Sequence, residues 1–329
     1  MWRPLVCLSI FLGLAGSARS QVEPRKPASP PDQSLQSGSE EITPSHVFQQ
    51  VTLLRAELEL IRLEMGKPGV APPLIRVEKA APREVYFQAL TLFRKTDRLA
   101  FEHTRERSGE PVPPEEQIRP IHVRALVDAA LKRVQRVKES LAISETVKKP
   151  ALETGIEPSG VFNDIVAANR EINQLLEQQF APGDVYQQTT VAIAYLSRLL
   201  DSLGGISTPP QPPAFERRKR PADVYRKLIS CFGQIREIGN LSGIGMLDLE
   251  VDESRVESAE PSDVYDVASL LVSELAHLHG HRADAKPPRK VYNPGRKLPS
   301  HVYQRLGILH SQIEELHKIA RNNPDWLED

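Results

Sequence analysis

Eight stretches of the chain place apolar residues at alternating steps of four and three. The first reads Val47, Val51, Leu54, Leu58 and Ile61, the fourth Val161, Ile165, Ala168, Ile172 and Leu175, and the eighth Val302, Leu306, Leu309, Ile313 and Leu316. Across five positions in each of eight stretches, only Thr96 and Thr189 are not apolar. A chain with 40% hydrophobic residues would fill about sixteen of those forty positions by chance. Steps of four and three form the seam of helices packed with a left-handed supercoil. Each stretch therefore predicts one amphipathic helix of about 20–22 residues, some 33 Å long.

A short motif opens every stretch. Pro44, Pro82, Pro120, Pro158, Pro182, Pro221, Pro261 and Pro299 each stand three residues before a seam valine: Val47, Val85, Val123, Val161, Val185, Val224, Val264 and Val302. The next residue is aromatic in seven of the eight (Phe48, Tyr86, Phe162, Tyr186, Tyr225, Tyr265 and Tyr303), with Arg124 as the exception. Successive prolines lie 38, 38, 38, 24, 39, 40 and 38 residues apart, which marks internal repetition. Proline costs no donor in the first helical turn. Ser45, Ser159, Gly183, Ser262 and Ser300 follow it in cap-compatible positions. Glu84, Asp184, Asp223 and Asp263 put negative charge where the helix dipole favours it. The motif starts helices and is not a catalytic signature. The recurrent ring is expected to cover the end of the packed helices and to offer its hydroxyl to a loop carbonyl; a row of rings stacking on a ligand is the rival reading.

Pro-rich straps such as "GKPGVAPPLIRVEKAAP" and "AKPPRKVYNPGRKLP" join the stretches. Extended at about 3.1 Å per residue, such a strap can run back along a whole helix and start the next one parallel to it. A loose antiparallel turn is equally open. Only "EQQFAPGDVY" lacks a strap, which makes the fourth and fifth helices expected close neighbours. The predicted architecture is all-α: eight repeated amphipathic helices with Pro-rich straps, most economically as two four-helix bundles over 43–180 and 181–323. A single helical-repeat solenoid is the alternative. Residues 21–42 have a disordered Pro/Ser-rich composition, and 324–329 form a tail.

Composition adds the compartment. Residues 1–20, "MWRPLVCLSIFLGLAGSARS", have the basic head, short apolar run and small-residue end of a cleaved signal peptide. The run is too short to span a bilayer, and no other segment predicts a transmembrane span. After cleavage Cys231 is the only cysteine, so no intrachain disulfide is available; on the seam it reads as a small buried hydrophobe. Export without disulfides points to a bacterial periplasm or a secreted location. Losing Arg3 and Arg19 takes the formal charge from −1 to near −3, which gives no field to gather nucleic acid.

Candidate chemistry is sparse. His277 and His281 are one helical turn apart, and His310 and His317 on the last helix extend them to a candidate Zn²⁺ or Cu²⁺ ligand set. Arg217, Arg218, Lys219 and Arg220, and a second basic strap holding Lys286, Arg289, Lys290, Arg296 and Lys297, fit a solvated linker or a dock for an anionic envelope polymer or lipid headgroup. Gly243 and Gly245 in "SGIGM" read as a helix terminator. Glu57, Glu59 and Glu64 read as a solvated face. No catalytic motif is present and no cofactor is implied. The two breaks in the repeat, Arg124 and the missing strap, do not resemble a site. The expected function is a non-enzymatic, exported helical scaffold that binds a protein or cell-envelope component. The alternative is a small-ligand or metal-binding sensor using the four histidines.

Overall fold

Every proline of the motif is the first residue of a helix. The helices are α1 (Pro44–Glu64), α2 (Pro82–Thr104), α3 (Pro120–Ser140), α4 (Pro158–Leu175), α5 (Pro182–Ser202), α6 (Pro221–Leu241), α7 (Pro261–Gly280) and α8 (Pro299–Asn322). A computed structural model describes residues 41–109, 111–114, 117–203, 210–282, 288–289, 291–323 and 326–327. The expected leader, the linker as far as residue 40, Lys286 and Lys290 lie outside the described residues. The protein is all-α. Its described strands are β1 (Ile75–Arg76) and β2 (Glu250–Val251), an antiparallel pair joining two straps. Among the described residues no helix is long and apolar enough to cross a membrane.

The helix starts share one device. The residue before proline is forced into extended backbone, which is what an N-cap requires, and all eight N-caps are extended. The third helical residue then reaches back to the N-cap amide. That N–H is accepted by Glu84, Asp184, Asp223 and Asp263 carboxylates at 2.5–2.9 Å. In three other helices it is accepted by Nδ1 of His46, His122 and His301 at 3.0–3.2 Å. Gly160 is the exception. The serines expected as caps are in the second helical position instead. Two of them hold straps: Ser45 Oγ accepts from Ile156 N at 3.3 Å, and Ser300 Oγ accepts from Lys219 N at 3.2 Å.

The seam is the core. All five seam residues of all eight helices are buried. The two threonines satisfy their hydroxyls within their own helix, Thr96 on Phe93 O and Thr189 on Val185 O, each at 2.9 Å. Cys231 is fully buried, and burial pushes its thiol up to about 12. α1 packs against α3 and α4, and α2 packs against the same two, which closes a ring. α5 and α6 do the same with α7 and α8. In each ring the four prolines and four valines of the motif line one small apolar cavity. All four helices of a ring therefore start at the same end and run parallel, and the straps carry the chain back. α4 and α5 are not close-packed neighbours: α4 lies on α1 and α2, and α5 lies on α7 and α8. Their short connection steps from one ring to the other rather than reversing within one.

Both rings belong to one compact unit, Ile42–Asp329. α7 meets α2 and α4. Arg83 at the start of α2 pairs with Glu274 near the end of α7 at 3.1 Å, whereas Lys95, deeper in α2, pairs with Asp266 near the start of α7 at 2.6 Å. The rings therefore lie side by side and antiparallel. One expectation about a polar position changes. Glu57 is buried, not solvated, and holds Lys138 of α3 at 2.7 Å. Trp326, in the expected tail, is fully buried and donates through Nε1 to Ser242 Oγ at 2.7 Å. Gly243 terminates α6 as expected, with φ +69.

Candidate functional site: a cleft between the helix rings

The contact between the rings is polar and incomplete. α2 contributes Arg83, Glu84 and Lys95, α4 contributes Asn169, Arg170 and Asn173, and α7 answers with Asp263, Asp266 and Glu274. Arg170 is paired with Asp263, and Asn173 Nδ2 donates to Asp266 Oδ2 at 3.3 Å. Lys95 is almost wholly buried. Burial pulls its ammonium below the usual lysine range, and Asp266 acts in the opposite direction. Glu84 is buried beside Glu274, and desolvation pushes its carboxyl up to about 7 against the Ala81 amide and Arg83, which act the other way. Buried polar atoms normally find partners. Here Asn169 Oδ1, Asn173 Oδ1, Arg170 Nε and the Tyr225 hydroxyl have none.

Beside this layer a cleft of about 320 Å³ opens between α2 on one wall and α5 and α7 on the other. Arg94, Lys95 and Arg98 come from one face of α2, and Phe180, Tyr195 and Tyr265 supply aromatic surface opposite and at the base. Phe180 is the pivot. Its ring stacks on Tyr265, with centroids 4.1 Å apart and planes at 22°. Lys95 Nζ and Arg98 Cζ lie 5.3 and 5.1 Å from its centroid, within cation–π reach. The Tyr265 hydroxyl accepts from Gln188 Nε2 at 3.3 Å. Arg98 donates to the Gln178 carbonyl, and Glu177 N donates to Glu102 at 2.9 Å. The α4–α5 connection is thereby fixed onto α2.

The missing strap, which sequence alone separated from any site, supplies this pivot. A strap would have carried the chain away, and without one Phe180 is delivered between the rings. A second signal was available: the only two threonines on the seam, Thr96 and Thr189, each adjoin a cleft residue, Lys95 and Gln188.

The repeated aromatic slot splits by environment. Phe162 and Tyr225 are fully buried. Tyr303 lies between Lys219 and Lys227, each 4.1 Å from its centroid, and Tyr186 meets Lys297 at 4.7 Å and Arg305 at 5.4 Å. Only Tyr265 of this slot lines the cleft.

The four candidate metal ligands are not brought into one cluster. His277 and His281 touch, Nε2 to Nε2 at 3.4 Å. Burial, then Arg83 and His281, pull His277 down to about 4. His310 instead faces Glu314 of its own helix at 3.5 Å, and His317 faces Glu237 of α6 at 3.2 Å. Among the described residues no three His, Cys, Asp or Glu side chains converge in a metal-holding group. Comparison with protein-family models, with curated proteins and with solved structures found no significant match.

Proposed function

We propose that the chain is an exported, non-enzymatic binding module, a rigid duplicated frame that holds an anionic, ring-bearing component of the bacterial envelope or periplasm in the cleft between its rings. The observation that carries this reading is the juxtaposition of Arg94, Lys95 and Arg98 with Phe180, Tyr195 and Tyr265 around about 320 Å³. A preformed concavity of that size, with three cationic side chains against one carboxylate, Asp184, that is engaged by the Ala181 amide, suits a small anionic ligand. Guanidinium groups recognise carboxylate or phosphate oxygens, and the rings offer stacking surface. The lysine in the cleft is held by Asp266, which fixes its charge in place for binding.

The test is a calorimetric titration with a flat aromatic carboxylate, 2-naphthoate. Saturable heat is expected, weakened about tenfold or more in Arg94→Gln/Arg98→Gln, which is roughly the loss of one charge-assisted hydrogen bond. No heat, or heat unchanged in the variant, rejects the reading. A second reading rests on the touching pair His277 and His281, which could share a Zn²⁺ or Cu²⁺ ion with non-protein ligands. Micromolar metal binding lost in His281→Ala would favour it, and no heat with either metal would remove it.

A further inference from the structure

A second cavity, of about 370 Å³, lies on the outer side of the second ring. It is formed by α5, by Arg305 of α8 and by the strap residues Pro288, Arg289 and Val291. Three guanidinium groups line it: Arg198, Arg289 and Arg305. Among the described lining residues Asp201 is the only carboxylate. Among the described residues no ion pair joins any of the three arginines to a carboxylate. Arg55 and Arg83, by contrast, are matched by Asp164 and Glu171 and by Glu84 and Glu274, whereas Arg198 and Arg289 reach solvent and Arg305 is half-buried. Arg305 shares one feature with Arg170 of the inter-ring layer. Its Nε is buried with no hydrogen-bond partner, and its guanidinium is held 5.4 Å over the Tyr186 ring. Ser197 and Thr190 add hydroxyls to the wall.

Residues 291–293 of the strap beside this cavity are fastened to α5. Gln187 of α5 donates to the Val291 carbonyl and accepts from Asn293 N at 3.4 Å, and Asn293 Nδ2 reaches Thr190 Oγ1 at 3.3 Å. This fastening turns two apolar side chains outward at the rim: Val291 is 50% and Tyr292 82% exposed.

We propose that this cavity is a binding site for a phosphate group, taken by Arg198, Arg289 and Arg305. Planar guanidinium forks match phosphate oxygens in pairs. Three of them against one lining carboxylate, Asp201, form a local excess of positive charge that an oxyanion would neutralise. The phosphate can arrive on a soluble ester or on a lipid. The outward Val291–Tyr292 pair beside basic Arg296 and Lys297 has the chemistry of a membrane–water interface, where tyrosine and cationic side chains concentrate.

The experiment uses the full mature chain in two arms. One titrates inorganic phosphate and glycerol 3-phosphate calorimetrically. The other floats the protein with vesicles of phosphatidylglycerol in phosphatidylcholine, and with phosphatidylcholine alone. Heat with the soluble phosphates identifies a free ester as the source. Flotation confined to the anionic vesicles, reduced by Tyr292→Ser, identifies a lipid headgroup. In either case binding is expected to weaken about tenfold or more in Arg289→Gln/Arg305→Gln, and to be unaffected by Arg94→Gln/Arg98→Gln in the cleft. That pair of variants separates failure here from failure of the cleft reading. Should Arg305→Gln disturb the fold, Arg289→Gln alone, on an exposed strap position, makes the same comparison. Neither heat nor flotation, or binding that survives loss of the arginines, overturns the proposal.

Discussion

Glu84 and His277 both feel Arg83, and they respond to pH in opposite senses. Glu84 titrates near 7 in the folded chain, above the ordinary glutamate value of about 4.3. Its contribution to stability is complete below that ordinary value and is lost as pH rises through about 7. His277 titrates near 4 when folded, below the usual 6.5 or so. Its contribution is present above the ordinary value and disappears as pH falls through about 4. Glu84→Gln, whose amide oxygen can still accept from the Ala81 amide, is therefore expected to lessen the loss of stability between pH 5 and 8. Urea midpoints at the two pH values check this; a slope identical to that of the parent chain contradicts it. Lys138 makes a second residue-scale case. Removing it leaves Glu57 buried and unpaired, so Lys138→Ala should cost roughly 3–5 kcal/mol. Glu57→Leu/Lys138→Met should recover most of that in chemical denaturation.

For the helices, the sequence was legible wherever a local rule decides the outcome. Proline in the first turn, an extended residue before it and an apolar seam after it are local or near-local constraints, and all eight helix starts and all the seam positions follow from them. The capping role of His46, His122 and His301 was harder to read. A histidine accepting through Nδ1 does the work of a carboxylate without resembling one, and Gly160 interrupts the series. Gly160→Asp should restore the missing acceptor for the Glu157 amide and remove a helical glycine. A Cβ there would meet Ile156 Cγ2 at 3.3 Å, which offsets part of the roughly 1 kcal/mol from the cap and the lost glycine; a small net rise in melting temperature is expected. Gly307 shows how closely straps lie on helices. A Cβ there would meet Pro213 Cγ at 2.4 Å, so Gly307→Ala should displace this strap and cost roughly 1–3 kcal/mol. An unchanged melting temperature would show that the strap gives way freely.

For the whole molecule, helix direction and the meeting of the rings were not legible in the sequence, because both depend on contacts far apart along the chain. An extended strap permits either direction, and only the convergence of four prolines at one end of each ring shows that the helices run parallel. The charges that join the rings lie off the seam, at positions any solvated helix face could occupy. Lys95, Asp266 and Arg170 carry no repeat signature, and Asp263 occupies the repeated helix-start slot, so nothing local marks the cleft beside them. They couple the two rings together with the β1–β2 pair, the Phe180–Tyr265 stack and the apolar core that the rings share. Lys95→Ala/Arg170→Ala should split a single calorimetric unfolding transition into two, whereas one transition in the variant would mean that other contacts maintain the coupling.

The rings do not meet through equivalent faces. Ring one presents α2 and α4, and ring two presents α7, the counterpart of α3. A head-to-tail contact of this kind leaves a complementary surface at each outer side and, in principle, invites a third member and then a fibre. The chain writes the attracting charges only once. Where α7 carries Asp266 and Glu274, α3 carries Ala125 and Arg133; where α2 and α4 carry Lys95 and Arg170, α6 and α8 carry Gln234 and Ser311. Duplication of the frame without duplication of its adhesive limits the stack to two.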